Sequence, residues 1–155
     1  MGRFIPNENT WIAFSEDAPA DLKAPKVAEV TAATEVTKQV SGLNFSAQGS
    51  AVPTPDLSRL FETSIPGTAT ATATMDGYRD DEEDDLWDLL PRGTEGVVYI
   101  RRYGKAATKA VDKLELWPVR AISRTNANLS NNTVATFTVT FSVPEEPAEN
   151  AVVAT

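Results

Sequence analysis

The sequence predicts a mainly β domain, a β-sandwich or curved barrel-like sheet, with one prominent α-helix over about residues 81–90. Three observations carry this. "TVATFTVTFSV" (133–143) alternates Ala135, Phe137, Val139, Phe141 and Val143 with Thr136, Thr138, Thr140 and Ser142, the mark of a strand with one apolar face. "TATATATM" (68–75) alternates threonine with a small or apolar residue over eight positions. "RDDEEDDLWDLLPRG" (79–93) crowds seven carboxylates into nine positions, then sets Leu86, Leu89 and Leu90 at spacings of three and four before Pro91 and Gly93. That is a helix with an acidic start and a firm stop.

The remaining elements follow in chain order. Residues 1–24 hold prolines around a short apolar island, Trp11 to Phe14, and read as an N-terminal arm rather than a packed element. The domain proper is expected over 25–143. "KVAEVTAAT" (26–34) fits a short helix, and "EVTKQVSGLNF" (35–45) a strand broken near Gly42. "QGSAVPTPDLS" (48–58) has the punctuation of a loop. "VVYIRRY" (97–103) is a compact strand turning basic, and "KLELWPVRAISR" (113–124) a strand with Pro118 at a bulge or edge. "NANLSNN" (126–132) is a loop, and 144–155 reads as a C-terminal extension.

Composition narrows the chemistry. With no Cys and no His, the chain has no disulfides, no thiolate, no Ser–His pair and no ordinary zinc site. No apolar run approaches the ~20 residues of a membrane span, and the N-terminus lacks a secretory h-region. The sequons at Asn44, Asn128 and Asn131 are therefore expected to be idle. The net charge is −8, and seven of the 22 acids lie in the one stretch, so the remainder nearly balances the 14 bases. Such a surface is a poor grip for nucleic acid.

The acidic run itself fails as a calcium loop. Counted from Asp80, the sixth and twelfth positions hold Asp85 and Pro91, where an EF-hand needs Gly and Glu. Nor does a consecutive run on a solvated helix start resemble two carboxylates held apart in a cleft. "YGKAATK" (103–109) lacks the glycine and hydroxyl of a phosphate loop. No catalytic, metal or cofactor residue is assigned.

The succession "VAEVTAATEVTKQVSG", "FETSIPG", "MDGYRDDEEDDLWDLLPRGTEGVVYIRR", "DKLELWPVRAISR" and "TVATFTVTFSV" resembles the major tail tube proteins of long-tailed bacteriophages, with the flavour of phages infecting actinobacteria. The resemblance runs from about residue 24 to 143. It implies a β-sandwich subunit with one outer helix, hexameric rings stacking helically into a hollow tube, and a virion protein made in the host cytoplasm. Tape measure, tail terminator and distal tail proteins are the implied partners, and DNA passes without specific binding. On this reading Thr68, Thr70, Thr72 and Thr74 are candidates to line the lumen. Trp11, Phe14, Asp80, Asp81, Asp84, Asp85, Arg101, Arg102 and Lys105 are candidates for contacts between subunits. Residues 1–24 and 144–155 are expected to order only against neighbours, and no added C-terminal immunoglobulin-like domain is expected. The competing reading is a β-sandwich binding or adhesion module, calcium-dependent through residues 80–85; an acid/base hydrolase stands third.

Overall fold

The computed structural model describes residues 10–82, 84–102, 104 and 112–154. Its elements are β1 (Trp11–Ser15), α1 (Val27–Ala32), β2 (Thr34–Glu35), β3 (Val40–Pro53), β4 (Ser64–Tyr78), α2 (Asp85–Leu89), β5 (Glu95–Arg101), β6 (Lys113–Asn126), β7 (Thr136–Ser142) and β8 (Ala148–Val152). The strands form one antiparallel sheet in the order β2-β1-β5-β6-β7-β4-β3, with β8 also on β6.

The sheet turns over on itself through β6. The first half of β6 pairs with β5 on one side and β8 on the other, and its second half pairs with β7. Pro118 lies between the stretches that pair with β8 and with β7, so β6 has no ladder bond to lose on that side. The fold brings Ile12, Phe14, Val98, Ile100 and Trp117 against Phe45, Met75, Phe137, Val139 and Phe141, with Leu86 and Leu90 of the helical segment closing one end. Phe45 meets Trp117 edge-on at 5.5 Å between centroids. This is the sandwich that the alternating patterns anticipate.

A second core lies on the other side of β1, β5 and β6. There Trp11, Ala13, Val97, Tyr99, Leu114 and Leu116 pack against Val30 of α1 and against Ala148, Ala151 and Val153. Because β5 is covered on both faces, its Val97, Val98, Tyr99 and Ile100 are all apolar and all buried.

Four expectations need correction. Trp11–Ser15 is a strand of the body, paired along its length with β5, because its side chains alternate between the two cores. Removing residues 1–20 would therefore open both cores rather than trim an arm. The C-terminal stretch is equally integrated: β8 pairs with β6, and Val153 donates its N–H to the Asp112 carbonyl at 2.8 Å. The helix is shorter than 81–90: it spans Asp85–Leu89, with Leu86 and Leu90 buried in the core and Trp87 and Leu89 packed against it. The expected loop 48–58 is strand as far as Pro53, held by β4.

Candidate functional site

β3, β4, β7 and the second half of β6 make a four-stranded surface with two chemistries. Its inner face is core. Its outer face follows from the register: Asn44 and Ser46 lie opposite Thr74 and Thr72, and Thr74 and Asp76 lie opposite Thr140 and Thr138. Thr140 and Thr138 in turn lie opposite Ser123 and Thr125. The threonine ladder is thus one column of a hydroxyl and amide field four strands wide. Asp76 is its carboxylate, accepting the Thr138 hydroxyl at 2.6 Å. A base, Arg120, enters only at the far corner, where Glu95 pairs with it.

The ladder divides in two. Ala73 and Met75 are buried and Ala71 packs beside them, so this half has a core face and a solvent face. Thr68, Ala69 and Thr70 are exposed alike, because β7 pairs with β4 only from Ala73 onward. Beyond that point β3 and β4 continue as a two-stranded arm with which no third strand pairs among the described residues.

The arm ends in a turn over residues 54–63. Thr54 and Thr63 close it, with the Thr54 N–H donating to the Thr63 carbonyl at 2.8 Å and the two hydroxyls 2.9 Å apart. Leu60 is 94% and Phe61 82% exposed, with Leu57 beside them fully so. Hydrogen bonds from the Ser58 hydroxyl and N–H hold the Asp56 carboxyl below its usual range. Nothing in the sequence separated this apolar tip from an ordinary loop, since Leu and Phe carry no statement of burial on their own.

The acidic segment sits at the opposite end of β4. Asp84 is committed within the chain, accepting from Arg79 Nε at 2.8 Å and Nη2 at 2.7 Å. Trp87 lies within 3.9 Å of the Arg79 guanidinium and 3.7 Å of the Arg124 guanidinium, and meets Phe137 edge-on. These stacks fasten α2 to the sheet. Gly77 permits the close approach, since a Cβ there would fall 2.6 Å from Leu86 Cδ2. Asp80, Asp81 and Asp85 remain exposed.

The bases proposed for contacts between subunits lie away from these acids in the chain. Arg101 pairs with Asp112 at 3.6 Å and Arg102 with Glu115, at the other end of the sheet. Lys105 lies outside the described residues. Trp11 and Phe14 are 6% and 1% exposed, so neither presents a surface to a neighbour. Among the described residues no three acids converge as metal ligands. Tyr99, buried in the second core, has its phenol pushed up to about 12 by burial first and by Glu29 second. It stays neutral and serves as packing.

Compared with known proteins, the whole chain, residues 1–155, matches the family model described as phage tail tube protein. Among solved structures, a chain of the "Virion of native gene transfer agent (GTA) particle" aligns with a TM-score of 0.55 at 12% identity, covering 95% of this chain and 97% of that one. At that identity the likeness concerns the fold. No curated protein matches the chain.

Proposed function

The chain belongs to the phage tail tube protein family, and on that premise we propose that it forms hexameric rings that stack into the hollow tail tube, through which DNA is delivered. As a member of that family it is a structural protein of the virion tail. The observation that carries the finer reading is the hydroxyl-faced four-stranded sheet with a free edge on each side.

Among the described residues, no strand pairs with β3 on the side away from β4, nor with residues 122–126 of β6 on the side away from β7. The four strands alternate in direction, so β3 and β6 run opposite ways. A copy related by rotation presents β3 to its neighbour's β6 in antiparallel sense. Such an edge-to-edge contact closes into a ring and removes two exposed edges per copy. Six copies give 24 strands, and at ~4.8 Å spacing with a tilt of about 40° the barrel spans roughly 48 Å across its backbone. That is wide enough for duplex DNA.

The outer hydroxyl face then lines the lumen, Thr68, Thr70, Thr72 and Thr74 among it. A wall whose base Arg120 is paired with Glu95 avoids the counterion release that makes phosphate binding tight, so DNA slides past without being held. The apolar arm tip suits burial against another copy, and tape measure, terminator and distal tail proteins are the partners at the tube's ends. The role needs no catalysis.

Electron microscopy of concentrated protein tests the reading. Sixfold rings or tubes support it; monomers whose melting depends on calcium would select a binding module instead. Within a tube, Thr70→Arg with Thr72→Arg should leave assembly intact and slow genome delivery, whereas a map placing these threonines on the outer surface refutes the lumen assignment.

A further inference from the structure

We propose that copies join through a single register of the β6–β3 edge pairing, with Ser123 of one copy opposite Ser50 of the next, and that Arg102 sets this register by closing the β3 edge at Phe45. The proposal rests on the ring reading and names the residues of its lateral joint.

The ladders inside one copy decide which backbone groups each free edge offers. Thr54 donates its N–H to the Thr63 carbonyl, so the even-numbered residues of β3 turn their N–H and C=O toward β4. Gly49 lies opposite Ala69 and Ala51 opposite Pro66, so the extra residue of the bulge is in β4 and the count along β3 runs through. The odd-numbered residues of β3 therefore face the open edge. On β6, Ala127 donates to the Thr136 carbonyl, which turns Thr125 and Ser123 toward β7. Arg124 and Asn126 offer their backbone groups to the other side.

Phe45 is odd-numbered too, but its carbonyl is taken. It accepts from Arg102 Nη2 of its own copy at 3.3 Å. Both carboxylate oxygens of Glu115 hold the same guanidinium in place. An incoming β6 strand stops short of Phe45, and Asn126 finds its first open partner at Ala47. Arg124 then falls opposite Gly49, Thr125 opposite Gln48 and Ser123 opposite Ser50.

The side chains suit this register on both faces. Thr125 meets Gln48 and Ser123 meets Ser50, so the hydroxyl and amide field crosses the joint unbroken. On the other face small residues meet large ones, Ala47 against Asn126 and Gly49 against Arg124. A Cβ on Gly49 would meet nothing within 4 Å in its own copy, which leaves room for the neighbour's Arg124 and the Trp87 stacked on it. Sliding on by two residues would set Ser123 against the apolar Val52.

Barrel closure agrees. Asn44 lies opposite Thr74, Thr74 opposite Thr140 and Thr140 opposite Ser123, and the joint carries that line to Ser50 of the next copy. The line thus climbs six residues of β3 per copy, from 44 to 50. At ~3.3 Å per residue and ~4.8 Å per strand over four strands, the strands tilt by about 46°, beside the roughly 35–45° of natural barrels. Two residues further the tilt would be about 54°. The register two residues short, at about 35°, is the one that Arg102 blocks.

Disulfide trapping reads the register, because the chain has no cysteine of its own. Full-length protein carrying Ser50→Cys with Ser123→Cys is assembled, oxidised and run on a non-reducing gel, with rings counted by negative stain. Opposed residues of a non-hydrogen-bonded pair lie about 4.5 Å apart between Cα atoms, whereas positions two residues off lie about 7–8 Å apart, too far to bridge. Within one copy β4 and β7 hold the two positions roughly 14 Å apart, so every cross-link joins copies. Cross-linked bands up to the hexamer should exceed those from Gln48→Cys or Val52→Cys, each with Ser123→Cys, on the order of tenfold. Arg102→Lys keeps a cation for Glu115 but loses the fork that also reaches Phe45. It should raise the Gln48–Ser123 yield by about fivefold or more. Rings in which another pair cross-links best, or in which none does, overturn the register. Unchanged yields in Arg102→Lys overturn the role of Arg102. A wild type that forms neither rings nor tubes overturns the ring reading itself.

Discussion

β5 and the arm of β3 and β4 are both antiparallel β-structure, yet their burial is opposite. Val97 to Ile100 are buried on both faces, whereas β3 beyond Ser46 and β4 before Ala71 are exposed on both. The first region stores the stability of the subunit. The second has cross-strand hydrogen bonds and almost nothing else, and a two-stranded ribbon alone is marginal in water. What the arm lacks within the subunit, assembly can supply. Stability and association are thus segregated along the same sheet, and mutations should separate them.

The largest effect belongs to the doubly covered region. Trp117→Ala, at a residue with no exposed surface and an edge contact with Phe45, should destabilise the subunit by ~3–5 kcal/mol in denaturant unfolding. A loss under 1 kcal/mol would mean the trio β1, β5 and β6 is not where stability resides.

Tyr99 sharpens the comparison through pH. Its phenol is raised from 10.0 to about 12 in the fold, so the folded state keeps a proton that the unfolded state has already released. Stability is therefore full below pH 10 and falls between pH 10 and 12, by about 2 kcal/mol. Tyr99→Phe should flatten that part of the pH profile. It also removes a buried hydroxyl that has no hydrogen-bond partner among the described residues, so stability at neutral pH should not drop. A slope unchanged in Tyr99→Phe would refute the assignment.

At the acidic end the effects shrink and split. Asp84→Asn breaks the pairing with Arg79 beside the Trp87 stack and should cost ~0.5–1.5 kcal/mol. Asp85→Asn, at an exposed position, should fall within ~0.5 kcal/mol of the wild type. Both should shift the salt dependence of assembly. Equal losses of stability would contradict the different roles given to the two acids.

The smallest effect on the subunit and the largest on assembly belong to the arm tip. Leu57→Ser, Leu60→Ser and Phe61→Ser together should change the unfolding free energy by under ~0.5 kcal/mol, because these side chains bury nothing in one copy. Tube formation should nevertheless be lost. A large fall in subunit stability would mean that the tip already packs against its own body.

The sequence by itself determined the faces. Alternation at 133–143 and 68–75 named the buried Phe137, Val139, Phe141, Ala73 and Met75 and the hydroxyl face opposite them, though Ala69, placed on the same packing face, is exposed. It also located the helix, since Leu86 and Leu90 recur at a helical spacing. Tertiary structure alone decided which neighbours those faces would have. Trp11–Ser15 looks like an arm until β5 is beside it, and 148–152 looks like a tail until β6 is. The partner lies 80 or more residues away for the first and over 30 for the second, beyond the reach of any local pattern. The ladder at 68–75 is uniform in sequence but covered only where β7 pairs with it, from Ala73 onward. Periodicity sets which way a side chain points; whether anything meets it there depends on how far the neighbouring strand extends.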